Sequence, residues 1–117
     1  MAITVAGSWQ GGGTGTTTLA VSPVTIGDVI VLLCANENST GAPPTGASGG
    51  GVTTWHYVSN TGNQNASSST ACVMLWGVVT ATGSATITVS GQAAGWASDT
   101  VRLMAVEFAQ EIGRAHV

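Results

Sequence analysis

In 117 residues the chain carries five acidic and two basic side chains, for a net charge of −3, and only 6% of its positions are charged against 44% hydrophobic. So little positive charge gives no footprint for a phosphate backbone, which argues against nucleic-acid binding. No apolar run reaches the roughly 18 residues needed to cross a bilayer, which argues against membrane insertion.

Acid–base and nucleophilic chemistry needs titratable groups held near one another, and Asp28, Glu37, His56, Asp99, Arg102 and Glu107 are nearly the whole supply. An enzyme is therefore not expected, and no catalytic residue is assigned. The length suits one small domain with a single core. Residues 112–117, IGRAHV, read as the translation of a common short-read sequencing adapter, with the Glu111 codon across the junction. On that reading the frame was assembled from metagenomic reads and residues 111–117 are non-native. Residues 1–110 are then one domain truncated at its C-terminal end, and Arg114 and His116 carry no biological information. Met1-Ala2-Ile3-Thr4 starts on strand-like residues without the basic and then apolar pattern of a secretory signal.

Periodicity is that of strands throughout. Ile3 and Val5 alternate with Thr4 and Ala6 in a first strand expected to run to about Trp9 and to break at the glycines of 11–15. Those glycines lack the lysine of a phosphate loop. Leu19 and Val21 mark a second strand, ended by Ser22-Pro23, and Ile26-Gly27-Asp28 reads as a tight turn whose aspartate bonds backbone amides. Residues 28–35 hold an unbroken apolar run that predicts a central strand covered on both faces.

A long polar loop is expected over 36–51, then a strand over 52–59 bearing Trp55, His56 and Tyr57, and a second loop over 60–69. Over 70–79, Cys72, Met74, Trp76 and Val78 share one face, and Trp76 is expected in the core. Ala85, Ile87 and Val89 alternate with threonines in the next strand. After a loop over 91–98, Val101, Leu103 and Ala105 oppose Arg102, Met104, Val106 and Phe108 in the last. About seven short strands with turn signals between them predict an all-β fold, an antiparallel, jelly-roll-like β-sandwich. The spacing of Cys34, Trp55 and Cys72, with Thr70 in place of a corner tyrosine, does not support an immunoglobulin domain.

Four stretches, TLAVSPVTIGDVIVLL at 18–33, SGGGVTTW at 48–55, LWGVVTATGSATITV at 75–89 and LMAVEF at 103–108, resemble together the Gly/Thr-rich β-sandwich modules of phage tail and minor structural proteins and of large bacterial surface proteins. The resemblance spans roughly residues 1–110 and supplies no catalytic residue. It implies a structural role on a virion or at the cell surface, with further strands beyond the last one seen.

Candidate contact residues follow from chemistry that remains. Aromatic rings stack on sugars or fill interface pockets; Trp9 beside the glycine run and Trp96 in a loop are the expected exposed pair, with a plug across the open end of the sandwich as the other reading of a loop tryptophan, and Trp55, the next contact candidate, is expected in the core or half in it. His56 lies near two loops without an evident carboxylate to orient it. Asp28 and Asp99 are expected to bond turn amides, with calcium held by Glu37, Asp99 and carbonyls as the lesser reading. No cofactor and no metal site are implied, for there is no CxxC and no His/Cys cluster. Cys34 and Cys72 are expected as two buried free thiols, with a disulfide as the alternative. Asn38-Ser39-Thr40 and Asn65-Ala66-Ser67 match glycosylation acceptors.

The expected function is a non-enzymatic assembly module that packs through strand edges and faces against protein neighbours or copies of itself, as a homo-oligomer. The alternative is a carbohydrate-binding module that takes a surface glycan on its loop tryptophans.

Overall fold

The computed structural model describes residues 2–37, 43–60 and 71–110. In chain order its strands are β1 (Ile3–Thr14), β2 (Thr18–Val21), β3 (Val29–Glu37), β4 (Gly46–Gly49), β5 (Val52–Asn60), β6 (Ala71–Val79), β7 (Ala85–Ser90) and β8 (Thr100–Gln110), with a short 3-10 helix at Ala94–Ser98 before the last. They form a five-stranded sheet, ordered β1-β8-β3-β6-β5, and a three-stranded sheet, β2-β7-β4.

Every pairing is antiparallel, and the pairs nest: β1 with β8, β2 with β7, β3 with β6. This is the layout of a jelly roll, a long hairpin rolled into two layers. The tip of that hairpin is the turn between β4 and β5, where Gly50 and Gly51 hold φ angles of 73° and 77°, a region that side chains other than glycine rarely adopt. There the chain leaves the small sheet and joins the edge of the large one.

Between the layers, Leu19, Val21, Ile87 and Val89 of the small sheet meet Ile30, Leu32, Val73, Leu75, Val79, Val101, Leu103 and Ala105 of the large sheet, all buried. Three strands cannot cover five. The surplus width is filled by Trp9 on β1 and Trp55 on β5, partly buried rings that lean on the core from its two sides. Trp55 Nε1 donates to the Gly49 carbonyl at 3.0 Å, which ties that ring to the small sheet.

The strands differ from those expected at three places. The first strand does not stop near Trp9, because Gly11, Gly12 and Gly13 pair with Leu103, Arg102 and Val101. A Cβ at Gly12 would collide with the Val101 carbonyl oxygen and the Arg102 side chain, so the missing side chain lets β8 come close instead of breaking the strand. Strand β4 lies inside the segment expected to be loop, which raises the strand number to eight among the described residues.

The third difference is the largest. Strand β3 is covered on one face only: Ile30, Leu32 and Cys34 are buried, while Val29, Val31 and Leu33 on the other side are half exposed. Strand β6 turns Val73, Leu75 and Val79 inward and leaves Trp76 outside the core at 37% exposure. Gly77 falls on the inward side with them. A Cβ on it would strike Val52 and the Thr54 carbonyl oxygen of the neighbouring β5, so at the register irregularity between Val52 and Trp55 only glycine leaves room.

Candidate functional site

The outer face of the five-stranded sheet is built in rows by the register. Val29 lies between Phe108 and Val78, Val31 between Val106 and Trp76, Leu33 between Met104 and Met74, and Ala35 between Arg102 and Cys72. The three inner strands β8, β3 and β6 thus carry an apolar centre, and its most prominent side chains stand well into solvent: Trp76 and Met74 at 37%, Val78 and Met104 at 42%.

Polar groups border the centre except beside Phe108, where the exposed Val5 of β1 continues the apolar surface. On β1, Ser8 lies beside Val106 and Gln10 beside Met104. On β5, His56 lies beside Trp76 and stacks on it with ring centroids 4.3 Å apart and planes inclined by 24°. Arg102 and the exposed Glu37 stand at one end. An apolar centre with a polar rim is the anatomy of a contact surface, since burial of the centre releases water while the rim stays hydrated.

The expected contact residues do not gather at one site. Trp96 is 2% exposed and donates through Nε1 to the Thr16 carbonyl at 3.0 Å, so it plugs the end of the sandwich and offers no ring to a ligand. Trp9 and Trp55 give one side to the core. His56 is exposed and meets Trp76, the tryptophan expected inside. The unrecognised feature is therefore Trp76. Its signal was concealed because both faces of β6 are apolar and alternation cannot rank them.

Two polar clusters lie at the ends of the core. Glu107 is fully buried and accepts hydrogen bonds from the Val24 and Thr25 amides at 3.1 and 3.2 Å. It takes the amide-binding role expected of Asp28, which is itself buried with Oδ2 unpartnered. Burial pushes the Glu107 carboxyl above its ordinary range, and the neighbouring Asp28 carboxyl adds to the rise while the two amides oppose it. The alternation of Val101, Leu103 and Ala105 extends to Glu107 and could have flagged it. Asp99 is also buried and accepts from Asn36 Nδ2 at 2.8 Å, whereas Glu37 is exposed at the end of β3. Among the described residues no three His, Cys, Asp or Glu side chains are grouped to hold a metal ion, and no helix is long and apolar enough to cross a membrane.

Both cysteines are free thiols, and one of them departs from expectation: Cys34 is buried but Cys72 is exposed. Cys34 pairs with Val73 in the register and Cys72 with Ala35, so the two point to opposite faces of the sheet. Burial, reinforced by Cys72, pushes the Cys34 thiol up to about 12. Since the thiolate is the nucleophile, iodoacetamide at neutral pH is expected to modify Cys72 in the folded protein and Cys34 only after denaturation, a difference read by intact mass. Equal labelling of both in the native state would contradict this placement. The two glycosylation triplets fall on positions 38–40 and 65–67, and they and the adapter-like residues 111–117 lie outside the described residues. Comparison with known protein families, with curated proteins and with solved structures finds no match to this chain.

Proposed function

We propose that the chain is a non-enzymatic assembly module of a phage virion or a bacterial cell surface, and that its open sheet face packs against a protein neighbour. The observation that carries this reading is the apolar centre of that face, with Trp76, Met74, Val78 and Met104 exposed inside a polar border. Contiguous apolar patches of this kind mark interaction surfaces, because leaving them in water forgoes roughly 25 cal/mol for each Å2 that a partner could cover. Jelly rolls serve viral capsid and lectin domains alike, so the topology does not separate the two readings. The virion or surface setting rests on the four stretches that resemble phage and surface modules.

A carbohydrate-binding role through loop tryptophans is less favoured, since Trp96 is buried and Trp9 and Trp55 lean on the core. Sugar stacking would fall to the exposed rings of Trp76 and Tyr57. The test combines a hydrophobic dye with a glycan array. At high dilution the wild-type protein is expected to enhance dye fluorescence, Trp76→Lys to lose much of that signal with unchanged circular dichroism, and the array to stay silent. Reproducible glycan binding that disappears in Trp76→Ala would overturn the assembly reading in favour of a carbohydrate module.

A further inference from the structure

We infer that the partner on the open face is a second copy of this chain, docked face to face about a twofold axis; this rests on the assembly reading above and names its occupant.

Area gives the first argument. Five strands about 4.8 Å apart, each presenting about eight residues that rise about 3.3 Å apiece, make a face on the order of 600 Å2 before side-chain relief is counted. Two such faces bury about 1,200 Å2, which reaches the range of stable protein interfaces.

Charge and register give the second. Neither the Val31 row nor the Leu33 row carries an acidic or basic side chain on the three inner strands, so two copies meet without like-charge repulsion at the centre. Glu37 marks one end of the central strand. An axis running along β3 would set Glu37 against its own copy. An axis crossing the strands between the Val31 and Leu33 rows places the two Glu37 side chains at opposite ends instead. This second arrangement sets Trp76 over the partner copy's methionine at position 74, and Val106 over that at position 104. A thioether against an indole is a favourable contact, and methionine adapts its shape to the ring it meets. Aligned sheets pack about 10 Å apart with their strands within about 30°, a spacing that side chains of this size fill.

Sedimentation equilibrium over a wide concentration range tests the proposal. The wild-type protein is expected to show a monomer–dimer equilibrium. Trp76→Lys and Met74→Glu, each outward-facing and expected to leave the circular dichroism unchanged, should each weaken the dimer at least about 30-fold, as loss of a central anchor does. Mixing the two variants should restore dimer mass, because the new lysine then faces the new glutamate across the interface. In the wild type, alkylation of Cys72 should slow as protein concentration rises, a readout that needs no substitution.

A wild-type protein that stays monomeric at the highest concentration, or a dimer that neither variant weakens, would overturn the second-copy inference. A mixture that remains monomeric would overturn the crossed arrangement. None of these outcomes bears on the assembly reading itself, which falls to glycan binding through Trp76.

Discussion

Glu107→Ala is expected to cost about 3 kcal/mol of folding stability, while Glu107→Gln should leave the protein as stable or more so at alkaline pH. The alanine variant strands the Val24 and Thr25 amides, both bonded to the Glu107 carboxylate in the buried end of the core, and each unpaired buried group costs about 1–3 kcal/mol. Glutamine keeps an acceptor for those amides and offers an N–H to the unpartnered Asp28 Oδ2, so it imitates the protonated glutamate. Two adjacent buried carboxyls favour retention of a proton between them.

The pH dependence follows from the upward shift of the Glu107 carboxyl. Once pH rises past the ordinary value of 4.5, the unfolded chain sheds a proton that the folded chain retains. Folding stability then declines with rising pH until the folded carboxyl ionises in turn, and below the ordinary value the contribution is fully present. Denaturant titrations from pH 4 to pH 8 should show this decline in the wild type and a flatter profile in Glu107→Gln. A wild-type stability that rises across that window would show that Glu107 is not the group in control.

Trp96→Ala is the second substitution with a large effect, about 3–5 kcal/mol, as expected when a fully buried aromatic is truncated. The ring closes one end of the core at 2% exposure, and its Nε1 satisfies the Thr16 carbonyl. Trp96→Phe should recover most of the packing and forfeit the hydrogen bond, at about 1 kcal/mol. If both variants unfold at the wild-type denaturant midpoint, Trp96 is not part of the core.

The alternation of Ala85, Ile87 and Val89, and of Val101, Leu103 and Ala105, assigns the buried faces of β7 and β8 directly, because the intervening residues are mostly threonine in one strand and mixed in the other. Strand β6 defeats the same reasoning. Cys72, Met74, Trp76 and Val78 are as apolar as Val73, Leu75 and Val79, and the larger side chains fall on the face that the small sheet does not reach. Gly77, where a Cβ would strike Val52 of β5, belongs to the buried set, and that contact between strands is not visible in the alternation. Trp96 divides the two readings of a loop tryptophan for a different reason: composition marks its segment as loop, and only the position of that loop across the open end of two layers selects the plug over the exposed ring. The glycines of β1 look like a break until their pairing with β8 is known.

The nested pairing has a consequence for biogenesis. Among the described residues strand β1 pairs only with β8, so there Ile3 has no ladder partner until Gln110 has been synthesised, and β2 waits likewise for β7. Most of the chain must leave the ribosome before its first strands can be secured, and closing such distant pairs is slow, on the order of milliseconds to seconds for β-sandwich topologies. During that interval the apolar segments of β3 and β6 compete with strands of other nascent chains. Yield on overexpression should therefore depend on synthesis rate and temperature more steeply than the stability of the finished fold would suggest.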